Sequence, residues 1–84
     1  MRTAKFNESS NLIAQNLRRY RKEQKLSQDM LAAKMQIMGV AIDQQLISKI
    51  ERNERFVKDY ELVCFCKILG VTTQEMLSGA FPET

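Results

Sequence analysis

Ten residues, Asp43-Gln44-Gln45-Leu46-Ile47-Ser48-Lys49-Ile50-Glu51-Arg52, bring together two side-chain amides, a hydroxyl and two cations. On a helix turning about 100° per residue, Gln44, Gln45, Ser48, Lys49 and Arg52 share one arc. Ile47 and Ile50 take the opposite side, with Leu46 at its edge. The polar arc carries no carboxylate, although acids are common elsewhere in the chain. An amide offers a donor and an acceptor side by side, which matches the N6/N7 edge of adenine. An ammonium reaches the O6/N7 acceptors of guanine. A surface that approaches phosphates must also avoid negative charge. The chemistry expected of this stretch is hydrogen bonding to base edges beside a polyanion.

Other chemistry lacks its residues. The chain has no His, so the commonest general base and metal ligand is missing. Its two cysteines, Cys64 and Cys66, would lie about 160° apart on a helix, unable to bridge locally or to complete a zinc site without further ligands. They read as small reduced hydrophobes. There is no glycine-rich phosphate loop. The longest uncharged apolar stretch, Met35 to Ile42, is too short to cross a bilayer. No signal peptide opens the sequence. The expectations are a cytoplasmic protein that is not an enzyme, with no cofactor, metal, membrane or small-molecule ligand.

Charge is unevenly spread. Residues 1–55 hold eleven Lys/Arg against six Asp/Glu, and residues 56–84 hold two against four. One side is suited to a polyanion and the other faces something else. At 84 residues the chain makes one domain with a modest core, for which self-association is a plausible further source of stability.

The elements that would position the polar arc are helices throughout, since apolar residues recur at spacings of three and four. Residues 1–7 show no periodicity, and residues 1–10 are expected to form a loose arm. A first helix spans about Asn11 to Gln24, with Leu12, Ile13, Leu17 and Tyr20 on one arc and Arg18, Arg19 and Lys22 on the other. Ser27 is the expected N-cap of a second helix, with Asp29 suiting its positive end. Leu31, Ala32 and Met35 form its buried stripe, and Gly39 stops it. Asp43 caps a third helix reaching about Arg52, where Asn53 tolerates a left-handed end. A fourth helix runs from Asp59 to Leu69 and terminates at Gly70. Thr72 and Glu75 form a capping box for a last helix ending near Ser78, and Pro82 forbids much extension. The domain proper is expected over residues 11–78, with residues 79–84 as a tail.

Four short runs in order resemble the Cro/phage-repressor (XRE-type) helix-turn-helix family. They are Leu17-Arg18-Arg19-Tyr20-Arg21, Leu26-Ser27-Gln28-Asp29-Met30-Leu31-Ala32, Ile47-Ser48-Lys49-Ile50-Glu51-Arg52, and Leu69-Gly70-Val71 followed by Glu75-Met76-Leu77. The resemblance implies an all-α, compact five-helix bundle whose second and third helices form the helix-turn-helix. It implies a double-stranded DNA partner and places Gln44 and Gln45 at the first base-reading positions, with Ser48 and Lys49 later on the same face. Gln28 falls where the family touches a backbone phosphate and steadies the first reading side chain. Arg52 and Arg55 fall at backbone-contacting sites, and Arg21 and Glu51 at a partly buried ion pair. Projection agrees with that pair, because each residue borders its helix's apolar arc. Two features depart from the family pattern. The interval from Ala32 to Ile47 is about five residues longer than the common form, with the excess, within Gln36 to Ala41, expected to lengthen the second helix and its turn and Leu46 to pack against it. Glu54 replaces a frequently basic residue.

The fourth helix is apolar on more than one side. Leu62, Phe65, Cys66 and Leu69 define its core arc, while Val63, Cys64 and Ile68 fall outside. With Phe81, these three suggest the surface of a homodimer reading a pseudo-palindromic operator. The expected function is sequence-specific DNA binding by a transcriptional regulator, a repressor since no second domain is available to bind a ligand or recruit machinery. A phage repressor, an antitoxin and a restriction-modification controller share these features. The alternative is a protein-interaction adaptor that reuses the fold without reading DNA.

Overall fold

The computed structural model describes residues 9–80, which fold into five helices: α1 (Ala14–Glu23), α2 (Gln28–Ile37), α3 (Gln44–Glu51), α4 (Asp59–Leu69) and α5 (Thr73–Met76). Most of the arm expected at residues 1–10, together with Phe81 and Pro82, lies outside the described residues. The all-α five-helix architecture is the one expected.

Polar caps fix where the helices begin. Ser27 Oγ accepts the Met30 N–H at 3.0 Å and starts α2. Asp43 Oδ1 accepts the Leu46 N–H at 2.9 Å and starts α3. Thr72 and Glu75 exchange hydrogen bonds of 3.0 and 2.8 Å in a full capping box at α5. Left-handed residues end them. Lys25 (φ 60°) follows α1, Asn53 (φ 61°) follows α3 and Gly70 (φ 68°) closes α4.

α1 begins three residues later than the periodicity suggests. Asn11 lies ahead of the helix, and its Nδ2 donates to the carbonyls of Ile50 and Arg55 at 3.0 and 2.9 Å. Its Oδ1 accepts the Ile13 N–H at 2.9 Å. Leu12 therefore leaves the helical arc and stays 37% exposed, while Ile13 and Leu17 enter the core. α5 is also shorter than expected, ending at Met76, with Ser78 N–H turning back to Glu75.

The core joins Ile13 and Leu17 from the α1 side, Leu31, Ala32 and Met35 from α2, Ile47 and Ile50 from α3, Phe65, Cys66 and Leu69 from α4, and Met76. Burial of apolar area on this scale is the main favourable term holding so small a bundle. The long connection before α3 joins that core. Gly39 (φ 88°) ends the second helix, after which Val40 and Ile42 are both buried. Gln36 Nε2 donates to the Ile42 carbonyl at 3.0 Å. The residues between α2 and α3 thus form a short connection plugged in at two points, which sets where α3 starts. Leu46 is partly buried and lines a shallow cavity with Val40, Ala41 and Ile42.

Candidate nucleic-acid interface

α3 buries Ile47 and Ile50 and turns its polar residues outward. Gln45, Lys49 and Arg52 are exposed, and Gln44 and Ser48 are half-buried beside them. The five side chains named from the sequence thus stand on one helix and its C-cap, above an apolar anchor.

Beneath them runs a chain of side-chain hydrogen bonds. Arg21 grips both oxygens of Glu51, from Nε at 2.7 Å and from Nη2 at 3.0 Å, and its Nη1 donates to the Leu26 carbonyl at 2.7 Å. The pair is nearly sealed, with side chains 10% and 3% exposed. Gln28 Nε2 also donates to Glu51 Oε1, at 3.0 Å. Gln28 Oε1 then accepts from Gln44 Nε2 at 2.7 Å. A carboxylate can only accept, so Gln28 must present its amino group to Glu51 and its carbonyl to Gln44. Gln44 in turn must present its amino group to Gln28. One buried acid therefore orients two amides in succession. What remains free on Gln44 is one N–H and its Oε1, a donor beside an acceptor.

Arg52 and Arg55, paired by the resemblance as backbone-contacting residues, are engaged differently. Arg52 donates from Nη1 to Ser48 Oγ at 2.7 Å, and from Nε and Nη2 to Glu54 Oε1 at 3.2 and 3.1 Å. This group lies at the surface. Arg55 instead turns inward, donating to Glu61 at 2.9 and 3.2 Å and to the Phe56 carbonyl at 3.1 Å. Glu61 is buried and also accepts the Lys58 N–H at 2.9 Å. Burial pushes its carboxyl upward, but the Arg55 fork, the Lys58 N–H and the two positive charges outweigh it, so its pKa lies below the ordinary range. The Arg55 charge is thereby neutralised inside the bundle.

The sequence reading missed the residues that hold the end of α3. Asn53 Oδ1 accepts the N–H groups of Ser10 and Asn11 at 2.9 and 3.0 Å, while Asn11 reaches back to Ile50 and Arg55. Ser10, expected in the loose arm, is tied down by this contact. Glu61 had a local signal, as an acid three residues after the N-cap Lys58. The Asn11–Asn53 contact spans 42 residues and had none.

On α4, Val63 is 53% exposed, whereas Cys64 and Ile68 are partly buried against the core. The fourth member of the expected dimer surface, Phe81, lies outside the described residues. The exposed apolar residues nearby in the chain are Phe56 and Tyr60. Burial first, and the Glu75 charge second, push the Cys66 thiol upward, so it remains protonated at neutral pH.

A helix-turn-helix family model matches residues 17–76, most of the chain. This chain belongs to the XRE-type helix-turn-helix family. The DNA-binding domain of BldD, a solved structure, is similar to it over 87% of this chain and 99% of that one, with 26% identity and a TM-score of 0.69. Comparison with curated proteins returns no match. The helix-turn-helix is α2 with α3, a DNA-binding motif. No described helix is long and apolar enough to cross a membrane.

Proposed function

We propose that this protein is a transcriptional repressor that reads a pseudo-palindromic operator as a homodimer, with α3 in the major groove. The observation that carries the reading is the chain from Arg21 through Glu51 and Gln28 to Gln44, because it aims a donor–acceptor pair outward from a helix face otherwise made of amide, hydroxyl and ammonium groups. That pair fits adenine N7 and N6. Gln45, Ser48 and Lys49 read neighbouring base edges. Gln28, in the first turn of α2, and Arg52 contact phosphates, as helix N-termini and guanidinium groups favour. Arg55 supports the interface by holding the chain after α3, with its charge spent on Glu61.

Val63, with the exposed Phe56 and Tyr60 nearby in the chain, would offer apolar surface to a second copy. Symmetry would then set two recognition helices about 34–36 Å apart. The same surface is what an interaction adaptor would use, and DNA titration separates the two readings. Random duplex should bind at low salt and release steeply as salt rises, with about 0.9 in logarithmic slope per neutralised phosphate. Selection from a random DNA pool should then return a site with two related halves. Absence of duplex binding at low salt would favour the adaptor. Binding with no sequence preference would remove the base-reading roles.

A further inference from the structure

The cluster Ser48–Arg52–Glu54 closes the reading face of α3 with an acid where phosphates are expected to approach. Glu54 is positioned by backbone as well as side chain. It follows Asn53 in the left-handed conformation (φ 61°), and its N–H donates to the Lys49 carbonyl at 2.7 Å. From there one carboxylate oxygen receives both Nε and Nη2 of Arg52, and the third nitrogen of that guanidinium donates to Ser48 Oγ. Every nitrogen of Arg52 is engaged within the protein, yet the Arg52 and Glu54 side chains are each 55% exposed. An exposed pair of this kind contributes little to stability and is cheap to break. Its effect falls on what Arg52 can do next.

We propose that Glu54 is a positioning residue that sets duplex affinity through Arg52. By occupying the guanidinium and cancelling its charge, it weakens the sequence-independent attraction for phosphate. A phosphate seeking the Nε–Nη2 edge of Arg52 must displace the carboxylate, and one approaching the two N–H groups left unused meets its negative charge. Base contacts made by Gln44 and Gln45 do not depend on that exchange, so Glu54 lowers operator and random binding by a similar factor and leaves the difference between them to base reading. Arg52 also stays on Ser48, whose oxygen is then partly used as an acceptor and whose hydroxyl proton is free for a base-edge acceptor. This inference rests on the DNA-binding reading proposed above.

The test is a double-mutant cycle on the full chain, with random duplex and the selected operator as probes at several salt concentrations. Glu54→Gln should raise random-duplex affinity several-fold and operator affinity by a similar factor. It should steepen the salt slope by about 0.9, the contribution of one more phosphate. In an Arg52→Ala background the same substitution should gain almost nothing. Thermal melting should confirm that all three variants fold as the wild type does, as expected for exposed residues. An equal gain in both backgrounds would overturn the proposal, since Glu54 would then act as an isolated repelling charge. No gain in either would overturn it too. Failure of the wild type to bind any duplex would instead sink the DNA-binding reading on which the inference rests.

Discussion

Gln44 donates to Gln28 across the helix-turn-helix at 2.7 Å, and the direction of that bond is dictated from inside the bundle by Glu51. The outward-facing amide is thus prealigned, its orientation set before any partner arrives, which reduces the cost of ordering it on binding. Gln44→Ala should abolish discrimination at one base pair of each half-site, worth roughly 1–3 kcal/mol, and leave random-duplex binding almost unchanged. Competition binding with operators altered at single positions measures this. Uniform weakening across all of them would refute a base-reading role.

Glu51→Ala should destabilise the fold by about 3–5 kcal/mol, because Arg21 would keep a buried charge with no counter-ion. Urea unfolding monitored by circular dichroism gives the number. A loss below about 1 kcal/mol, the scale of a surface pair, would show that the Arg21–Glu51 contact is not sealed in solution.

Glu61 predicts a pH signature. Its folded pKa lies below the unfolded one, so its contribution is fully present above the ordinary Glu value and is lost as pH falls through the folded value. Glu61→Gln should therefore cost most at neutral pH. The gap between variant and wild type should close as pH drops below about 4. Melting temperatures of both proteins from pH 7 to pH 3 test it, and a constant gap would contradict the assignment.

Asn53 does two jobs that substitution can separate. Asn53→Gly preserves the left-handed backbone but deletes the acceptor for Ser10 and Asn11, at a cost of about 1–3 kcal/mol. Asn53→Ala should cost more, by roughly 1–2 kcal/mol, since alanine also resists φ 61°. A glycine variant as stable as the wild type would mean the anchor contributes nothing.

The two cysteines should differ in reactivity. Cys64 is partly exposed, whereas Cys66 is buried with its thiol pushed upward. Iodoacetamide should modify Cys64 in the native protein and both residues in urea, as peptide mapping would show. Equal native rates would contradict the burial of Cys66.

What could be seen in the sequence followed local rules. Ser27, Asp43, Thr72 and Gly70 mark their helix ends through interactions within one turn, and they hold those positions in the fold. The outer face of α3 was legible because one helix supplies all of it. What escaped depends on tertiary contact. Asn11 stops α1 from starting early only because the end of α3 lies beside it, and no periodicity in residues 11–24 carries that information. Arg55 read as a surface cation because its partner Glu61 belongs to the next helix. Glu54 was visible as an exception to a basic pattern, but its capture of Arg52 required the turn at Asn53.

Val40 and Ile42 have a consequence that reaches beyond the bundle. A linker secured at both these points holds the start of the third helix against the core, and the expected result is a stiff template instead of an adjustable finger. On the reading proposed above, any mismatch between template and target must be absorbed by the duplex. Sites that twist or bend at small cost would then be favoured even at base pairs no side chain touches.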